Sequence, residues 1–392
     1  MWTIQDVSSA KLWDIFCKVI DNHGDIGVCW RLAADLAARG QRVRIWVDQP
    51  SALAWMAPGA WEGHWPNIQV RVWDQQPDRA MLAGLQPADV WVEGFGCELP
   101  LELLEHRFSP SGSRPVANGT GPVWINLEYL TAETFAERSH GLPSPVMQGP
   151  ASGRTRFFFY PGFSVRTGGL LREPDLAERI QRFDRTSWLV SHGVSCNGGR
   201  LFSLFCYEPP ALALLVKRLR MGPEPAQLLV TQGRAQTAVR HWLAGEGLES
   251  TGSSSTSGAL SISFLPALAQ ADFDHLLWAC DLNFVRGEDS LVRAIWAGKP
   301  FVWQIYPQHD SAHHAKLRAF LDVMDAPQSL RKFHWAWNGL VEDSLPLPDL
   351  SAWAQAALKA RDRLRRQSDL TSRLLEFVDT VRAGPDFQME KR

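Results

Sequence analysis

Apolar residues recur along the chain in short runs that alternate with helical patterns. Residues 15–20 (IFCKVI) are largely β-branched or aromatic and stop at a polar, glycine-bearing turn, which predicts a buried strand. Residues 28–39 repeat apolar positions at helical spacing, and Gly40 follows them as a natural C-terminal cap. Residues 42–47 predict a second strand. A strand, a helix and a strand in this order form the right-handed crossover unit of a parallel sheet.

Similar strands recur in both halves of the chain, which predicts an α/β fold throughout. Several of them end in polar or glycine-bearing loops, and such loops lie at the carboxyl edge where open α/β sheets bind ligands. The further predicted strands are residues 90–93, 123–126, 201–207, 228–230, 262–265 and 282–285.

The length of the chain, 392 residues, exceeds that of one ordinary hydrophobic core, so we expect two domains. The pattern favours a first domain at 1–176, a connection at 177–199 and a second domain at 200–372. Residues 373–392 form a separate C-terminal helix, for which a return to the first domain is one option.

Three further segments are interpreted from composition. Residues 109–121 and 250–258 are rich in serine and glycine, which is typical of mobile surface loops. Residues 350–381 have a helical pattern in which arginines alternate with acidic residues. This mixture favours a solvated helical face over a stripe that binds nucleic acid.

Charge and apolar content argue against several classes of protein. With 45% hydrophobic residues, 21% charged residues and a net charge of −2, the chain reads as globular, with no overall attraction for nucleic acid or anionic lipid. We see no signal peptide in the first 16 residues and no apolar run long enough to span a membrane. A cytoplasmic protein without nucleic-acid or membrane partners is therefore expected.

Cysteine and tryptophan residues are both interpreted as part of the core. The 6 cysteines are scattered without C-x-x-C spacing, which is typical of reduced thiols in the cytosol. The 18 tryptophans are numerous enough for an aromatic binding platform, but most fall inside strand or helix patterns, where large rings usually fill the interior. Examples are Trp46, Trp91, Trp124, Trp278 and Trp296.

The loop DNHGDIG, residues 21–27, joins the first predicted strand to the first helix. Its glycines allow a ligand to approach the backbone, but Asp25 at the mouth of the loop would repel a phosphate unless it were paired. A catalytic base or an acceptor contact suits Asp25 better. Capping of the helix by Asp25 is an equal alternative.

A second loop of this kind, RGEDS, follows the predicted strand at 282–285 and precedes a helical pattern. The N-terminus of a helix attracts anions, and Gly287 allows a diphosphate to approach closely. Arg286 supplies a forked cation for phosphate, and Glu288 can accept hydrogen bonds from ribose or sugar hydroxyls. The alternative is a helix capped by Asp289 or Ser290 without a ligand.

Two segments of the sequence contain residues that could bind a metal ion. Asp272-Phe273-Asp274 matches the D-x-D pattern of metal-using glycosyltransferases, but it leads into a helix, so capping is the preferred interpretation. His309 and His313 have the spacing of zinc ligands, with His314 adjacent, yet a third ligand is not evident. The sequence also lacks the G-x-S-x-G, Walker and G-x-G-x-x-G motifs, which weakens hydrolase, P-loop kinase and dehydrogenase interpretations.

With these residues in view, the chain resembles the elongation factor P arginine rhamnosyltransferases (EarP) over nearly its whole length. The resemblance implies a GT-B fold, with two Rossmann-like domains facing across a cleft. It also implies inverting transfer of rhamnose from dTDP-β-L-rhamnose to an arginine of elongation factor P, without metal or another cofactor. The matching motifs are CKVIDNHGDIGVCWRLAADLA, EGFGC, NLEYLTAE, YPGF, TGGLLRE, LFCYE and DFDHLLWACDLNFVRGEDSLVRAIWAGKPFVWQIYPQ.

The resemblance also implies roles for individual residues. The first domain would supply Asp25 as general base, supported by Asp21. The second domain would bind the nucleotide sugar, with Arg286 and Glu288 as essential contacts. The other implied donor contacts are Asp289 and Ser290 at the diphosphate, Tyr306 at a phosphate, Phe205 and Tyr207 in the nucleotide pocket, and Gln270 at the thymine.

One departure from the family pattern affects the base-stacking residue. The family has a short Phe-x-Pro-Gln stretch, whereas extra residues here separate Phe264-Leu265-Pro266 from Gln270. Phe264 is the candidate for the stacking ring. An acidic lining near Asp25 that includes Glu128 would suit a basic loop on the acceptor protein.

Three other functions remain open from sequence. One is a GT-B transferase with another nucleotide sugar or acceptor. Competition between different nucleotide sugars for binding would distinguish it from a transferase that uses dTDP-rhamnose. Another is a non-catalytic nucleotide-sugar sensor, against which the presence of both Asp25 and Glu288 argues. The last is an epimerase of related architecture, which would turn over the donor without an acceptor.

Overall fold

The chain folds into two compact units of α/β structure. The computed structural model describes residues 10–19, 23–73, 79–108, 121–194, 198–248, 254–307, 312–341 and 345–384. The first unit comprises Met1–Leu130, Thr134–Arg172 and Ser368–Arg392, and the second comprises Thr131–Glu133 and Glu173–Gln367.

The first unit is built on a seven-stranded sheet in the order β3-β2-β1-β4-β5-β7-β6, in which only the short pairing of β6 with β7 is antiparallel. Its strands are β1 Leu12–Cys17, β2 Arg42–Val47, β3 Ile68–Val72, β4 Val90–Gly94, β5 Val123–Leu127, β6 Pro143–Pro145 and β7 Thr155–Phe159. Its helices are α1 Gly24–Ala38, α2 Leu53–Met56, α3 Arg79–Ala83, α4 Leu101–Phe108, α5 Phe135–Ser139 and, at the end of the chain, α15 Leu370–Ala383.

The second unit is built on a six-stranded sheet in the order β10-β11-β9-β8-β12-β13, in which only β10 runs antiparallel to its neighbour. Its strands are β8 Arg200–Leu204, β9 Ala226–Val230, β10 Ser254–Ser257, β11 Leu260–Phe264, β12 Leu282–Arg286 and β13 Phe301–Gln304. Its helices are α6 Leu176–Arg182, α7 Arg185–Ser191, α8 Leu212–Met221, α9 Arg234–Gly245, α10 Gln270–Ala279, α11 Asp289–Ala297, α12 Ala312–Val323, α13 Gln328–Trp337 and α14 Leu350–Arg365.

Strand β1 shows why the first sheet is covered on both faces. Successive side chains of a strand point to opposite faces, so Trp13 and Ile15 pack with α1 and α15, while Phe16 packs with the tryptophans of the other layer. The buried Asp14 is neutralised by Arg44 of β2, which donates Nε–Oδ1 and Nη2–Oδ2 hydrogen bonds of 2.6 and 2.7 Å. Burial on both faces explains why Ile15, Phe16 and Cys17 are apolar at consecutive positions instead of alternating with polar residues.

The last helix belongs to the unit that contains the start of the chain. Leu370, Leu374 and Val378 of α15 are buried in the same cluster as the inner face of α1. Arg39 at the end of α1 donates to Asp369 at 2.8 Å and to Ser372 at 2.7 Å, which ties the two helices together.

The unit boundaries differ from those that the sequence pattern favours. The chain passes between the larger parts of the two units at Arg172–Glu173 and again at Gln367–Ser368, a few residues before the predicted limits at 176 and 372. The segment 177–199, interpreted as a connection, instead contributes α6 and α7 to the second unit, where Trp188 and Leu189 are buried. The apolar side of α7 therefore belongs to a core and not to a linker.

Several elements begin or end elsewhere than predicted. Helix α1 begins at Gly24 and not at Val28, and β8 ends at Leu204, so residues 205–207 lie in the loop beyond it. The pattern at 350–381 is two helices, α14 and α15, because residues 366–369 interrupt it.

The serine-rich segment at 250–258 is only partly a loop. Residues 254–257 form the edge strand β10, which pairs with β11, whereas residues 249–253 lie outside the described residues. The segment at 109–121 falls outside them as well, except for Gly121.

The interpretation of cysteine and tryptophan residues as core is confirmed for five cysteines and for most of the described tryptophans, while Trp55, Trp61 and Trp65 are exposed. Cys17, Cys29, Cys97, Cys206 and Cys280 are buried free thiols, and Cys196 lies outside the described residues. The tryptophans named above are all less than 7% exposed: Trp46, Trp91, Trp124, Trp278 and Trp296.

Over the described ranges, none of the helices combines the length and apolar character needed to cross a lipid bilayer.

Candidate active site

The strand order of each sheet reverses at one point, and that point indicates where ligands bind. In the first sheet the order runs outward from β1 in one direction and from β4 in the other, and in the second sheet β8 and β12 stand in the same relation. A crevice opens at the carboxyl ends of such neighbouring strands, because their crossover connections leave toward opposite faces. The loops after β1, β4, β8 and β12 therefore define two candidate sites, one in each unit.

In the first unit Asp25 lies in the first turn of α1, directly beyond β1. The N-cap residue is His23, which makes no side-chain capping hydrogen bond, so Asp25 does not cap the helix. A carboxylate in this turn is stabilised by the positive end of the helix dipole. The hydroxyl of Tyr129, in the loop after β5, donates to Asp25 Oδ2 at 3.4 Å.

The loop after β4 supports the side of this site that Tyr129 occupies. Phe95 has a φ of 59° and stacks on Tyr129 with ring centroids 4.6 Å apart. Gly94 precedes it at a place where a Cβ atom would lie 2.8 Å from Cys29 Sγ and 3.0 Å from Phe16 O. The EGFGC motif thus needs glycine for close packing, and the packing places an aromatic ring under the tyrosine that contacts Asp25.

Two other acidic residues were predicted near this site. Asp21 lies outside the described residues, so its supporting role stays a prediction. Glu128 is half-buried after β5, and its Oε1 accepts a hydrogen bond of 2.8 Å from Asn126 Nδ2. Asn126 therefore holds Glu128 at the same edge of the sheet as Tyr129.

In the second unit the guanidinium of Arg286 is enclosed by aromatic rings at the end of β12. Its central carbon lies 4.4 Å from the ring centroid of Phe205 and 4.6 Å from that of Tyr207. Its Nη1 donates to the carbonyl of Cys206 at 2.9 Å. Burial lowers the pKa of Arg286 from its usual value. A cation held in apolar surroundings in this way is well suited to bind an anion.

The turn after Arg286 leads directly into α11. Gly287 has a φ of 64°, a conformation that favours glycine, and its carbonyl accepts a hydrogen bond of 2.7 Å from Trp303 Nε1. The Oγ of Ser290 accepts from the backbone N–H of Arg286 at 3.0 Å. The N-cap residue Glu288 makes no side-chain capping bond, and its Oε1 instead accepts from Lys316 Nζ at 2.9 Å. Neither Asp289 nor Ser290 is the N-cap residue, so the capping alternative for them is wrong.

Aromatic residues line the same edge of the second sheet. Tyr207 and Tyr306 meet edge to face with centroids 5.4 Å apart, and burial raises the pKa of Tyr207 to about 12. The guanidinium of Arg234, at the start of α9, lies 5.1 Å from the Tyr207 ring and pairs with Glu208. Phe205 also packs on Phe273 of α10 at 5.1 Å.

Gln270 and Phe264, the two residues predicted to contact the nucleobase, lie in different parts of the second unit. Gln270 opens α10 and its Nε2 lies 3.5 Å from Asp289 Oδ2, so it adjoins the start of α11. Phe264 ends β11, two strands or roughly 10 Å from β8, and one face of its ring lies 3.9 Å beneath the guanidinium of Arg240. Phe264 therefore lies at the flank of the group formed by Arg286, Phe205 and Tyr207.

Sequence reasoning missed Lys316 and Arg234. Arg234 follows Gly233, whose φ is 99°, at the end of β9, and the same signal of a strand, a glycine and a helix could have identified it. Lys316 lies in the second turn of α12, and its pairing with Glu288 depends on tertiary packing that no local pattern records.

A comparison with protein families supplies the deciding observation. The model described as "Elongation-Factor P (EF-P) rhamnosyltransferase EarP" matches residues 13–379, which span both units. The chain belongs to the EarP family.

Curated relatives match most of the chain. A protein-arginine rhamnosyltransferase of Pseudomonas aeruginosa is 42% identical over 93% of this chain and 98% of its own. Its counterpart in Pseudomonas putida is 44% identical over 83% of this chain and 86% of its own, and that in Shewanella oneidensis is 34% identical over 95% and 98%. The prediction of a glycosyltransferase is confirmed by membership of this EarP family.

Solved structures agree on the fold of this EarP-family chain. A structure described as the "structural basis for EarP-mediated arginine glycosylation of translation elongation factor EF-P" aligns with a TM-score of 0.61 and 31% identity, over 94% of this chain and 99% of its own. A glycosyltransferase from Rickettsia africae aligns with a TM-score of 0.52 at 9% identity, over 96% of this chain and 100% of its own, which shows the fold alone. The predicted GT-B class with two Rossmann-like domains is confirmed.

The D-x-D pattern of this EarP-family chain has a structural use. The N-cap residue of α10 is Ala269, with no side-chain capping bond, so the capping interpretation of the pattern is wrong. Asp274 is fully buried and accepts two hydrogen bonds from Arg293 of α11, at 2.9 and 2.6 Å. The carboxylate of Asp274, which a metal ion in this motif would need as a ligand, is thus bound by Arg293 instead.

The histidine candidates do not form a metal site with the residues around them that the structure describes. His313 is buried and His314 packs beside it, while His309 lies outside the described residues. In the described part of the chain, no group of three or more His, Cys, Asp or Glu side chains could hold a metal ion.

Proposed function

We propose that this chain transfers L-rhamnose from dTDP-β-L-rhamnose to an arginine side chain of elongation factor P, with inversion at the anomeric carbon. The observation that carries the proposal is the half-buried guanidinium of Arg286, packed against Phe205 and Tyr207 where β12 leads into α11. Membership of the EarP family supports the reaction type and the acceptor. An acceptor that works in translation would make the reaction cytoplasmic.

The donor side of the proposal is a diphosphate site. The leaving nucleoside diphosphate gains negative charge as the bond to the sugar breaks, and Arg286 would stabilise that charge together with the N-terminus of α11. Gly287 would let the diphosphate approach the backbone, with Asp289 and Ser290 beside it. Tyr306, which is 42% exposed, would reach a phosphate oxygen. A guanidinium and a helix N-terminus would do this work without a divalent cation.

The nucleobase side of the proposal uses rings and an amide. Phe205 and Tyr207 would line the nucleotide pocket, since they flank Arg286. Gln270 would donate to or accept from the edge of the thymine, a role its position beside Asp289 permits. Phe264 is the weaker of the aromatic candidates, because Arg240 already covers one face of its ring.

The acceptor side needs a base, because a guanidinium keeps its proton at neutral pH and is a poor nucleophile. In the proposed step an arginine nitrogen forms a bond to the anomeric carbon as the carbon–oxygen bond to the diphosphate breaks. The carboxylate of Asp25 accepts the proton that the nitrogen loses. A single displacement of this kind inverts the anomeric carbon. Glu288 would accept hydrogen bonds from the sugar hydroxyls, and Asp21 would support Asp25.

The test is intact-mass analysis of elongation factor P after incubation with this protein, dTDP-β-L-rhamnose and EDTA. We expect a gain of one deoxyhexose on an arginine, and a loss of at least about 100-fold in rate for Asp25→Asn. The matched control is Asp379→Asn, an exposed aspartate in the same unit that pairs with Lys11. NMR of the product would report the anomeric configuration.

Other outcomes would overturn particular parts of the proposal. A mass gain only after Mg²⁺ or Mn²⁺ is added would contradict metal independence. Turnover of the donor without any acceptor would favour an epimerase, and tight dTDP binding without turnover would favour a sensor or a different acceptor.

A further inference from the structure

We propose that Lys316 is a positioning residue for the donor site, which neutralises Glu288 so that a diphosphate can bind beside a carboxylate. The ammonium of Lys316 lies 2.9 Å from Glu288 Oε1. Neither the D-x-D pattern nor the RGEDS loop points to this lysine, which lies 28 residues beyond Glu288 in the chain. The inference rests on the proposed function to the extent that the donor carries a diphosphate.

The pair is sheltered from water more than a surface ion pair is. The side chains of Lys316 and Glu288 are 22% and 17% exposed. By contrast, the pair between Lys359 and Asp325 in the same unit has side chains that are 71% and 53% exposed. Shielding by water and salt weakens the exposed pair, while the sheltered pair keeps more of its electrostatic interaction.

A second contact fixes the helix of Lys316 against the loop of Glu288. Leu317 and Phe320 of α12 are buried, and Phe320 packs edge to face on Trp303 at 5.0 Å. The indole of Trp303 in turn donates to the carbonyl of Gly287, next to Glu288. The position of Lys316 relative to Glu288 is therefore set by packing and does not depend on the ion pair alone.

The charges around the proposed diphosphate explain why such a lysine is needed. Glu288 and Asp289 place two carboxylates at the N-terminus of α11, in the turn that follows Arg286. A diphosphate in that turn would be repelled by both, and the helix dipole amounts to only about half a unit charge. The ammonium of Lys316 cancels one carboxylate, so the attraction of Arg286 for the diphosphate is retained.

The experiment measures binding of dTDP and of uncharged thymidine by isothermal titration calorimetry, in the full-length protein and its variants. For Lys316→Met we expect dTDP to bind about tenfold more weakly, while thymidine binds as it does to wild type. Lys316→Arg, which keeps the charge, should remain within about twofold of wild type. The matched control, Lys359→Met, removes the exposed pair and should leave both affinities unchanged.

The decisive variant is Lys316→Met combined with Glu288→Gln. If the lysine acts by neutralising Glu288, removing the carboxylate as well should restore dTDP affinity to within about twofold of the Glu288→Gln protein. A merely structural lysine would not be rescued in this way. The inference is overturned if Lys316→Met weakens dTDP binding as much in the Glu288→Gln protein as in wild type, or if Lys316→Met binds dTDP like wild type.

The two proposals fail in different ways. Wild-type protein that binds dTDP but does not modify elongation factor P contradicts the proposed function and leaves the role of Lys316 intact. Wild-type protein that does not bind dTDP contradicts both.

Discussion

Arg293 donates Nε–Oδ1 and Nη2–Oδ2 hydrogen bonds of 2.9 and 2.6 Å to Asp274, and both residues are almost completely buried. Its remaining Nη1 donates to Glu173 at 2.8 Å. The pair joins α10, which begins with Gln270, to α11, which begins with Asp289. It therefore fixes the spacing of two helices whose N-termini both contribute to the candidate donor site.

Removing one partner of this pair should destabilise the second unit. Asp274→Asn leaves the guanidinium of Arg293 with less charge compensation in the interior, so we expect the free energy of unfolding to fall by about 3–5 kcal/mol. Urea unfolding followed by circular dichroism measures it. The matched control is Asp272→Asn, whose side chain is 43% exposed and should cost less than about 1 kcal/mol. Equal effects of both variants on a Mn²⁺-dependent activity would instead indicate a metal site.

Phe264, the predicted stacking ring, and Phe205, predicted to line the nucleotide pocket, should differ in their effect on dTDP binding. Phe205 lies beside Arg286, whereas Phe264 lies at the flank under Arg240, so Phe205→Leu should weaken binding by roughly 1–3 kcal/mol. Phe264→Leu serves as the matched control and should change the affinity by less than half as much. Titration of each variant with dTDP compares them. The reverse order of effects would restore Phe264 as the stacking ring.

Loss of the Tyr129 hydroxyl should slow the transfer step. Tyr129→Phe keeps the ring on Phe95 but removes the hydrogen bond to Asp25, which at 3.4 Å is a weak one. We expect kcat to fall roughly twofold to tenfold, with donor affinity unchanged. Steady-state kinetics on elongation factor P measures both. Tyr160→Phe, in the same unit, is the control, and an equal fall in that variant would show that the effect is not specific to Asp25.

Glu93 should make stability depend on pH. Burial in β4 raises the pKa of Glu93 from 4.5 to about 7, although Arg156 opposes the shift. Between these values the folded chain binds the proton that the unfolded chain releases, so stability falls as pH rises, by up to about 1.4 kcal/mol per pH unit. Glu93→Gln should lose this dependence. The measurement compares free energies of unfolding at pH 5 and pH 7.5 for both proteins, and an identical pH dependence would show that Glu93 does not titrate in this range.

The sequence located the loops of the candidate site better than the limits of the strands. Asp25 and Arg286 can be recognised from sequence because each follows an apolar run and a glycine lies close by, which is a local signal. The sequence predicts Phe205 and Tyr207 inside a strand, since the run 201–207 is apolar or aromatic apart from Ser203 and nothing polar marks the end of β8. Their position in the loop depends on where pairing with β9 and β12 stops.

Contacts between distant residues account for what sequence reasoning missed. Asp274 looked like part of a metal motif because the local pattern is the same whether a carboxylate binds a metal or an arginine on another helix. Lys316 gave no signal at all, because an isolated lysine on an amphipathic helix is ordinary. In both cases the partner is set by how α11 packs, which local periodicity does not encode.

The position of α15 has a consequence for how the protein forms during synthesis. Apart from Thr131–Glu133, the ribosome makes the strands of the first unit before the second unit, yet Leu370, Leu374 and Val378, which complete the core beside α1, come after it. The hydrophobic core of the first unit therefore stays incomplete, with part of its apolar surface exposed, until almost 200 further residues (Glu173–Gln367) have been translated. Nascent chains that stall before α15 would expose this surface to chaperones and proteases.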